Sequence, residues 1–151
     1  MPLAELATLT APFVEQAGFG ALTQERLEPL CAMFRERANT LKALAESFRP
    51  LLVPAADLEY VEKDAVKHLT DGGKAHLRAL TAIFAACEPF TAENIEAALN
   101  AYVADNGLKF KEVAPPLRTA LMGFMGGSHL NEIMAFLGKD ETLARLAKAV
   151  G

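Results

Sequence analysis

Three features of the sequence predict an all-α fold. The first is composition: 52% of the 151 residues are hydrophobic, much of this alanine and leucine, only 7% are aromatic, and tryptophan is absent. Such a mixture favours helices over a sandwich. The second is periodicity, since apolar residues recur at helical spacing and period-two alternation never persists. The third is punctuation, with glycines, prolines and capping residues spaced at helix-length intervals. A chain of this length makes about one domain and can bury roughly two thirds of its unfolded surface. No internal repeat of roughly 30–50 residues is evident.

The elements are expected in the following order. A first helix runs from Leu3 to about Ala17, with Leu3, Leu6, Leu9, Phe13 and Val14 in rough register, and Gly18 and Gly20 end it. Thr23 suits the N-cap of a second helix carrying Leu27, Leu30, Cys31 and Phe34, which Pro29 either kinks or splits. Arg35, Glu36 and Arg37 lie on its polar side, near its C-terminal end. Asn39 or Thr40 then caps a helix whose buried stripe is Leu41, Leu44 and Phe48, and Pro50 and Pro54 mark a loop. Residues from about Ala55 to Leu69 are charged and moderately periodic, and Asp71-Gly72-Gly73 is a turn signal. A helix from Lys74 to Cys87 buries Leu77, Leu80, Ile83 and Phe84, and Glu88-Pro89-Phe90 ends it. Thr91 caps the next, which carries Ile95, Leu99, Tyr102 and Val103 and stops at Asn106-Gly107.

In the tail, Lys109 to Ala114 reads as an extended entry closed by Pro115 and Pro116, because proline pushes the preceding residue out of the helical region. Pro116 then sits in a helix's first turn, with Leu117, Ala120 and Leu121 on one face and Arg118 off it. Gly123, Gly126 and Gly127 break that helix and let a backbone come close to something else. Ser128 opens another helix with the stripe Leu130, Ile133, Met134 and Leu137, which Gly138 stops, and a last helix covers about Asp140 to Val150. An arginine beside a glycine-rich elbow is the candidate ligand site. Its plain alternative is an ion-paired surface arginine beside a tight turn. The same choice holds for Arg37, which can equally complement a helix C-terminus. Arginine suits a nucleobase edge or a phosphate because its planar fork presents paired donors.

Charge and chemistry narrow the function. The net charge of −4 argues against a general nucleic-acid coat. Residues 1–106 hold nine Lys/Arg against fifteen Asp/Glu, a net of −6, whereas residues 107–151 hold six against four, a net of +2. The tail is thus the half expected to meet phosphate, through a specific pocket and not a bulk field. Asp64 and His68 have helical metal-ligand spacing, but with His76 they supply no third ligand at a closing position. There is no nucleophile–base order and no phosphate loop. Gly72-Gly73-Lys74 lacks the preceding strand. Cys31 and Cys87 read as reduced core residues. No apolar run approaches the ~18 residues of a membrane span, and Met1-Pro2-Leu3-Ala4-Glu5 lacks a basic secretory start, so a cytoplasmic protein is expected.

The whole chain resembles the C-terminal, anticodon-binding part of bacterial glutamyl-tRNA synthetases. The resemblance is carried by Arg35-Glu36-Arg37-Ala38-Asn39-Thr40-Leu41-Lys42, by Lys109 through Gly123 around Pro116-Leu117-Arg118, by His129-Leu130-Asn131-Glu132-Ile133-Met134 leading into Leu137-Gly138-Lys139, and by Thr142-Leu143-Ala144-Arg145-Leu146. It implies a helical cage of two small subdomains, expected here as 1–106 and 107–151, that grips the anticodon loop. It implies Arg37 and Arg118 as readers of anticodon bases, together with the loop of Gly127, Ser128 and Leu130. Arg35, Lys109 and Lys111 are candidates for backbone contacts. Unstacked bases are read by hydrogen bonds on their edges, by stacking and by backbone contacts. The chain departs from the family at Met122, where threonine is usual, and at Gly127-Ser128-His129-Leu130, where Ser/Thr-Pro-Gly-Leu is frequent.

The family's catalytic signatures, His-x-Gly-His and Lys-x-Ser-Lys, are absent. The chain alone is therefore not expected to be an enzyme; it looks like an excised domain or a truncated product. It is expected to need no cofactor, ATP and magnesium belonging to the missing catalytic domain. Expected partners are glutamate tRNA, with glutamine tRNA as a second candidate, and the parent chain's catalytic domain. The competing reading is a free-standing helical RNA- or protein-binding module with no enzymatic role.

Overall fold

A computed structural model describes residues 2–126 and 129–151. Among them every regular element is helical, with ten α-helices and two short 3₁₀ turns. The chain divides into two compact units, Met1–Val53 and Pro54–Gly151.

The first unit contains α1 (Leu3–Gln16), α2 (Gln24–Phe34), a 3₁₀ turn (Arg35–Arg37), α3 (Leu41–Ser47) and the single turn α4 (Arg49–Leu52). Helix α1 packs on α2 and α3. Their apolar faces meet through Ala7, Val14, Leu27, Leu30, Phe34, Leu44 and Phe48, with the Phe34 and Phe48 rings 5.8 Å apart at their centroids. Thr40 caps α3, its hydroxyl accepting the Ala43 N–H at 3.0 Å. Pro29 does not split α2. It lies on the exposed side, and the Glu25 carbonyl that loses its helical donor belongs to an exposed residue that water can reach.

The second unit contains a 3₁₀ turn (Ala55–Asp57), α5 (Glu62–His68), α6 (Asp71–Ala85), α7 (Ala92–Asp105), α8 (Phe110–Met122), α9 (Leu130–Leu137) and α10 (Lys139–Val150). Helix α10 packs on α6, α8 and α9, while α7 packs on α9. The core is built from Leu77, Leu80, Phe84, Ile95, Leu117, Leu121, Ile133 and Leu146. The division expected at 106/107 falls at the turn between α7 and α8, inside this unit. No helix among the described residues is long and apolar enough to cross a membrane.

Two expectations from sequence are corrected here. Asp71-Gly72-Gly73 is the first turn of α6, with the Thr70 hydroxyl accepting the Gly73 N–H at 3.2 Å. Gly73 is needed for contact: a Cβ there would lie 2.2 Å from the His68 carbonyl oxygen and 3.1 Å from Pro116 Cβ. The stretch before Pro115 is helical, not extended. Helix α8 starts at Phe110, where the Glu112 carboxylate accepts the Lys109 backbone N–H at 2.8 Å, and runs through both prolines. The carbonyls that lose donors belong to Lys111 and Glu112, both exposed. Burial of Val113, Leu117, Ala120 and Leu121 outweighs those two missing bonds. The apolar stripe of α9 also shifts by one residue at its end, burying Phe136 in preference to Leu137.

Candidate nucleic-acid interface

Helix α8 supplies the central arginine. Its buried face holds Leu117, Ala120 and Leu121, which leaves Arg118 part-buried at the margin. There Arg118 Nη1 donates to the Gly126 carbonyl at 3.0 Å, so the chain leaving α8 folds back along the helix.

Gly123 makes that reversal possible, ending α8 at φ 84°. A Cβ there would also lie 2.2 Å from the Glu59 carbonyl oxygen. The Val61 N–H donates to the Gly123 carbonyl at 2.7 Å, and the Met125 N–H donates to Asp64 Oδ2 at 3.0 Å. The close backbone approach foreseen at this glycine is therefore met by residues 59–64 of the chain itself.

Arg118 borders an open pocket of about 160 Å³ formed by α7, α8 and the start of α9. Leu99 and Leu130, 3% and 4% exposed, give it an apolar floor. Phe110, at the start of α8, forms part of its wall and is 48% exposed. Asn100, His129, Glu96 and Asn131 complete the lining, with Asn131 Nδ2 donating to Glu96 Oε2 at 3.3 Å. An arginine fork, two side-chain amides and a carboxylate around an aliphatic floor can hold a flat heteroaromatic group by its edge and against its face.

The structure thus brings Arg118 and Leu130 together, and Lys109 and Lys111 flank Phe110 as exposed residues. Gly127 and Ser128 lie outside the described residues. Arg35 and Arg37 belong to the other unit, at the two ends of its 3₁₀ turn. Arg35 is part-buried, whereas Arg37 is exposed and has no hydrogen-bond or ion-pair partner among the described residues. Sequence reasoning missed Phe110, Asn100 and Asn131 as lining residues. Only the packing of α7 beside α9 and α8 places them round one hollow.

Besides Arg118, three more of the tail's six cations are engaged in the fold. Lys139 Nζ donates to the Ala85 carbonyl at the end of α6, at 3.0 Å, and pairs with Glu88. Arg145 is fully buried, donating from Nη1 to the Leu121 carbonyl near the end of α8 at 2.7 Å and from Nε to Glu141 Oε1 at 3.0 Å. Lys148 Nζ donates to the Ala55 carbonyl at 2.8 Å and to that of Leu58. Lys109 and Lys111, both exposed, are the tail cations without such a bond among the described residues.

His76, Tyr102 and Cys31 have structural partners within the fold. His76 Nδ1 lies 2.8 Å from the Tyr102 hydroxyl, with the rings edge to face, and burial pushes the Tyr102 phenol up from its ordinary value of 10.0. Burial likewise raises the Cys31 thiol above 9.0, against the lowering effect of a hydrogen bond with Thr10. Cys31 and Cys87 are both buried, as expected. Among the described residues no group of three or more His, Cys, Asp or Glu could hold a metal.

Residues 5–150 match the family model described as the anticodon binding domain. The glutamate–tRNA ligase of Nitratidesulfovibrio vulgaris is 47% identical over 146 residues, covering 97% of this chain and 31% of that protein. That of Lawsonia intracellularis is 41% identical over 148 residues, 98% of this chain and 32% of that protein. The chain thus spans 31–32% of the length of these curated relatives. A solved glutamate–tRNA ligase from Elizabethkingia meningosepticum, in complex with its amino acid, shares the fold with a TM-score of 0.90 at 21% identity, covering 99% of this chain and 29% of that one.

Proposed function

The chain belongs to the anticodon-binding domain family, and on that premise we propose that it is the part of a glutamate–tRNA ligase that reads the anticodon loop of glutamate tRNA. The observation that carries this reading is the pocket beside Arg118, where an oriented guanidinium stands over an aliphatic floor. Its Nη1 bond to the Gly126 carbonyl orients the guanidinium at the margin of the pocket, where a planar fork suits a base edge.

In this reading Arg37 and Arg118 recognise bases, and Gly127, Ser128 and Leu130 are the residues against which the anticodon lies. Arg35, Lys109 and Lys111 meet backbone phosphates. This chain has no catalytic role. ATP-dependent glutamylation in the cytoplasm falls to the rest of a parent protein, where ATP and magnesium act.

Alanine at Arg118 or at Arg37 is expected to weaken binding of the glutamate anticodon stem-loop by about 1–3 kcal/mol each. Isothermal titration of the purified chain measures both. Arg118→Lys should not restore affinity, because an ammonium cannot present paired coplanar donors. Unchanged affinity in both alanine variants, with the fold intact, removes the site assignment. A glutamine stem-loop in the same titration tells whether the chain separates the two tRNAs.

A further inference from the structure

Phe110 is the one large apolar side chain in the pocket wall that the fold leaves 48% exposed. It is the first residue of α8, whose other large apolar residues, from Val113 to Met122, are buried. It has no aromatic partner among the described residues. Eight residues separate it from Arg118, about 12 Å along the helix. That is longer than any single base, so a base lying on Phe110 belongs to a different nucleotide from one read by Arg118. Lys109 and Lys111, the sequence neighbours of Phe110, are both exposed and carry the charge that backbone phosphates require.

We propose that the Phe110 ring is a stacking platform for a second nucleobase, at the end of the pocket away from Arg118; this rests on the anticodon-loop reading above. Every base has a π face, so the platform adds affinity and orients the strand without choosing the base. Choice stays with the hydrogen-bonding groups. An aromatic ring at this position holds the splayed loop in register so that the neighbouring base reaches Arg118.

The chain has no tryptophan, so Phe110→Trp installs a single indole reporter at the platform. Its emission is expected to be quenched when the glutamate anticodon stem-loop saturates the chain. Phe110→Leu, which keeps apolar bulk but removes the ring face, should bind about five- to a hundredfold more weakly, with little change in Tm. Phe110→Tyr should bind like the parent chain. If the parent chain discriminates the cognate loop and Arg118→Ala abolishes this, yet Phe110→Leu binds normally and the indole is not quenched, the platform is overturned while the anticodon reading stands. If the parent chain does not distinguish the cognate loop from one with altered anticodon bases, the anticodon reading falls and the platform with it.

Discussion

Arg118 and Arg145 are both tail arginines near helical partners, but they have different work. Arg118 is part-buried at the edge of an open pocket, whereas Arg145 is fully buried and supplies a donor to the Leu121 carbonyl. Arg145→Ala strands that carbonyl and leaves a cavity, so a loss on the order of 3 kcal/mol in unfolding free energy is expected from denaturant titration. Arg118→Ala should cost about 1 kcal/mol or less by the same measurement, while reducing RNA affinity. In sequence, Arg145 stands four residues after Glu141, a spacing that exposed and buried pairs share. Its burial depends on where α10 lands, which local spacing does not encode.

Buried and part-buried weak acids also give a residue-scale dependence on pH. The Cys31, Tyr60 and Tyr102 protons are all held more tightly in the folded chain, chiefly because burial disfavours the charged forms. Their contribution is complete below the ordinary values of 9.0 for the thiol and 10.0 for the phenols, and is lost as pH rises through the raised folded values. Melting temperature should therefore fall above about pH 9. Cys31→Ala, less stable at neutrality, should show a shallower alkaline decline.

At the scale of elements, α10 is a helix that finishes other helices. Lys139 and Arg145 donate to carbonyls at or near the ends of α6 and α8, where helical donors run out, and Lys148 donates to the carbonyls of Ala55 and Leu58 around the Ala55–Asp57 turn. The contact of α6 with α8 adds a steric condition at Gly73, whose missing Cβ admits the His68 carbonyl and Pro116. Gly73→Ala should cost about 1–3 kcal/mol, read as a lower Tm. Most helices were legible because Leu27, Leu30 and Phe34, or Leu77, Leu80 and Phe84, repeat the period that burial requires. The start of α8 was not. Pro115 and Pro116 argue locally against a helix, and the burial of Val113 and Leu117 that overrides them is tertiary.

For the molecule as a whole, a net charge of −4 leaves little room for non-specific attraction to RNA. If the phosphate contacts are limited to Arg35, Lys109 and Lys111, the slope of log affinity against log salt should be about −2. Lys111→Ala should reduce it by about 0.7, whereas Lys139→Ala should leave it unchanged. Sequence motifs indicated Arg118 and Leu130 as part of a site, and the structure joins them at one pocket. Phe110 and Asn131 lie in the same motif stretches, but their place in the lining follows only from α7, α8 and α9 meeting round one hollow.

The central claim is base reading, and a titration of the chain with two anticodon stem-loops at two salt concentrations tests it most directly. One carries the glutamate anticodon, the other altered anticodon bases on the same stem. The account predicts tighter binding of the first at both salts, with the difference removed by Arg118→Ala. Equal affinity for the two loops, falling steeply together as salt rises, would contradict it.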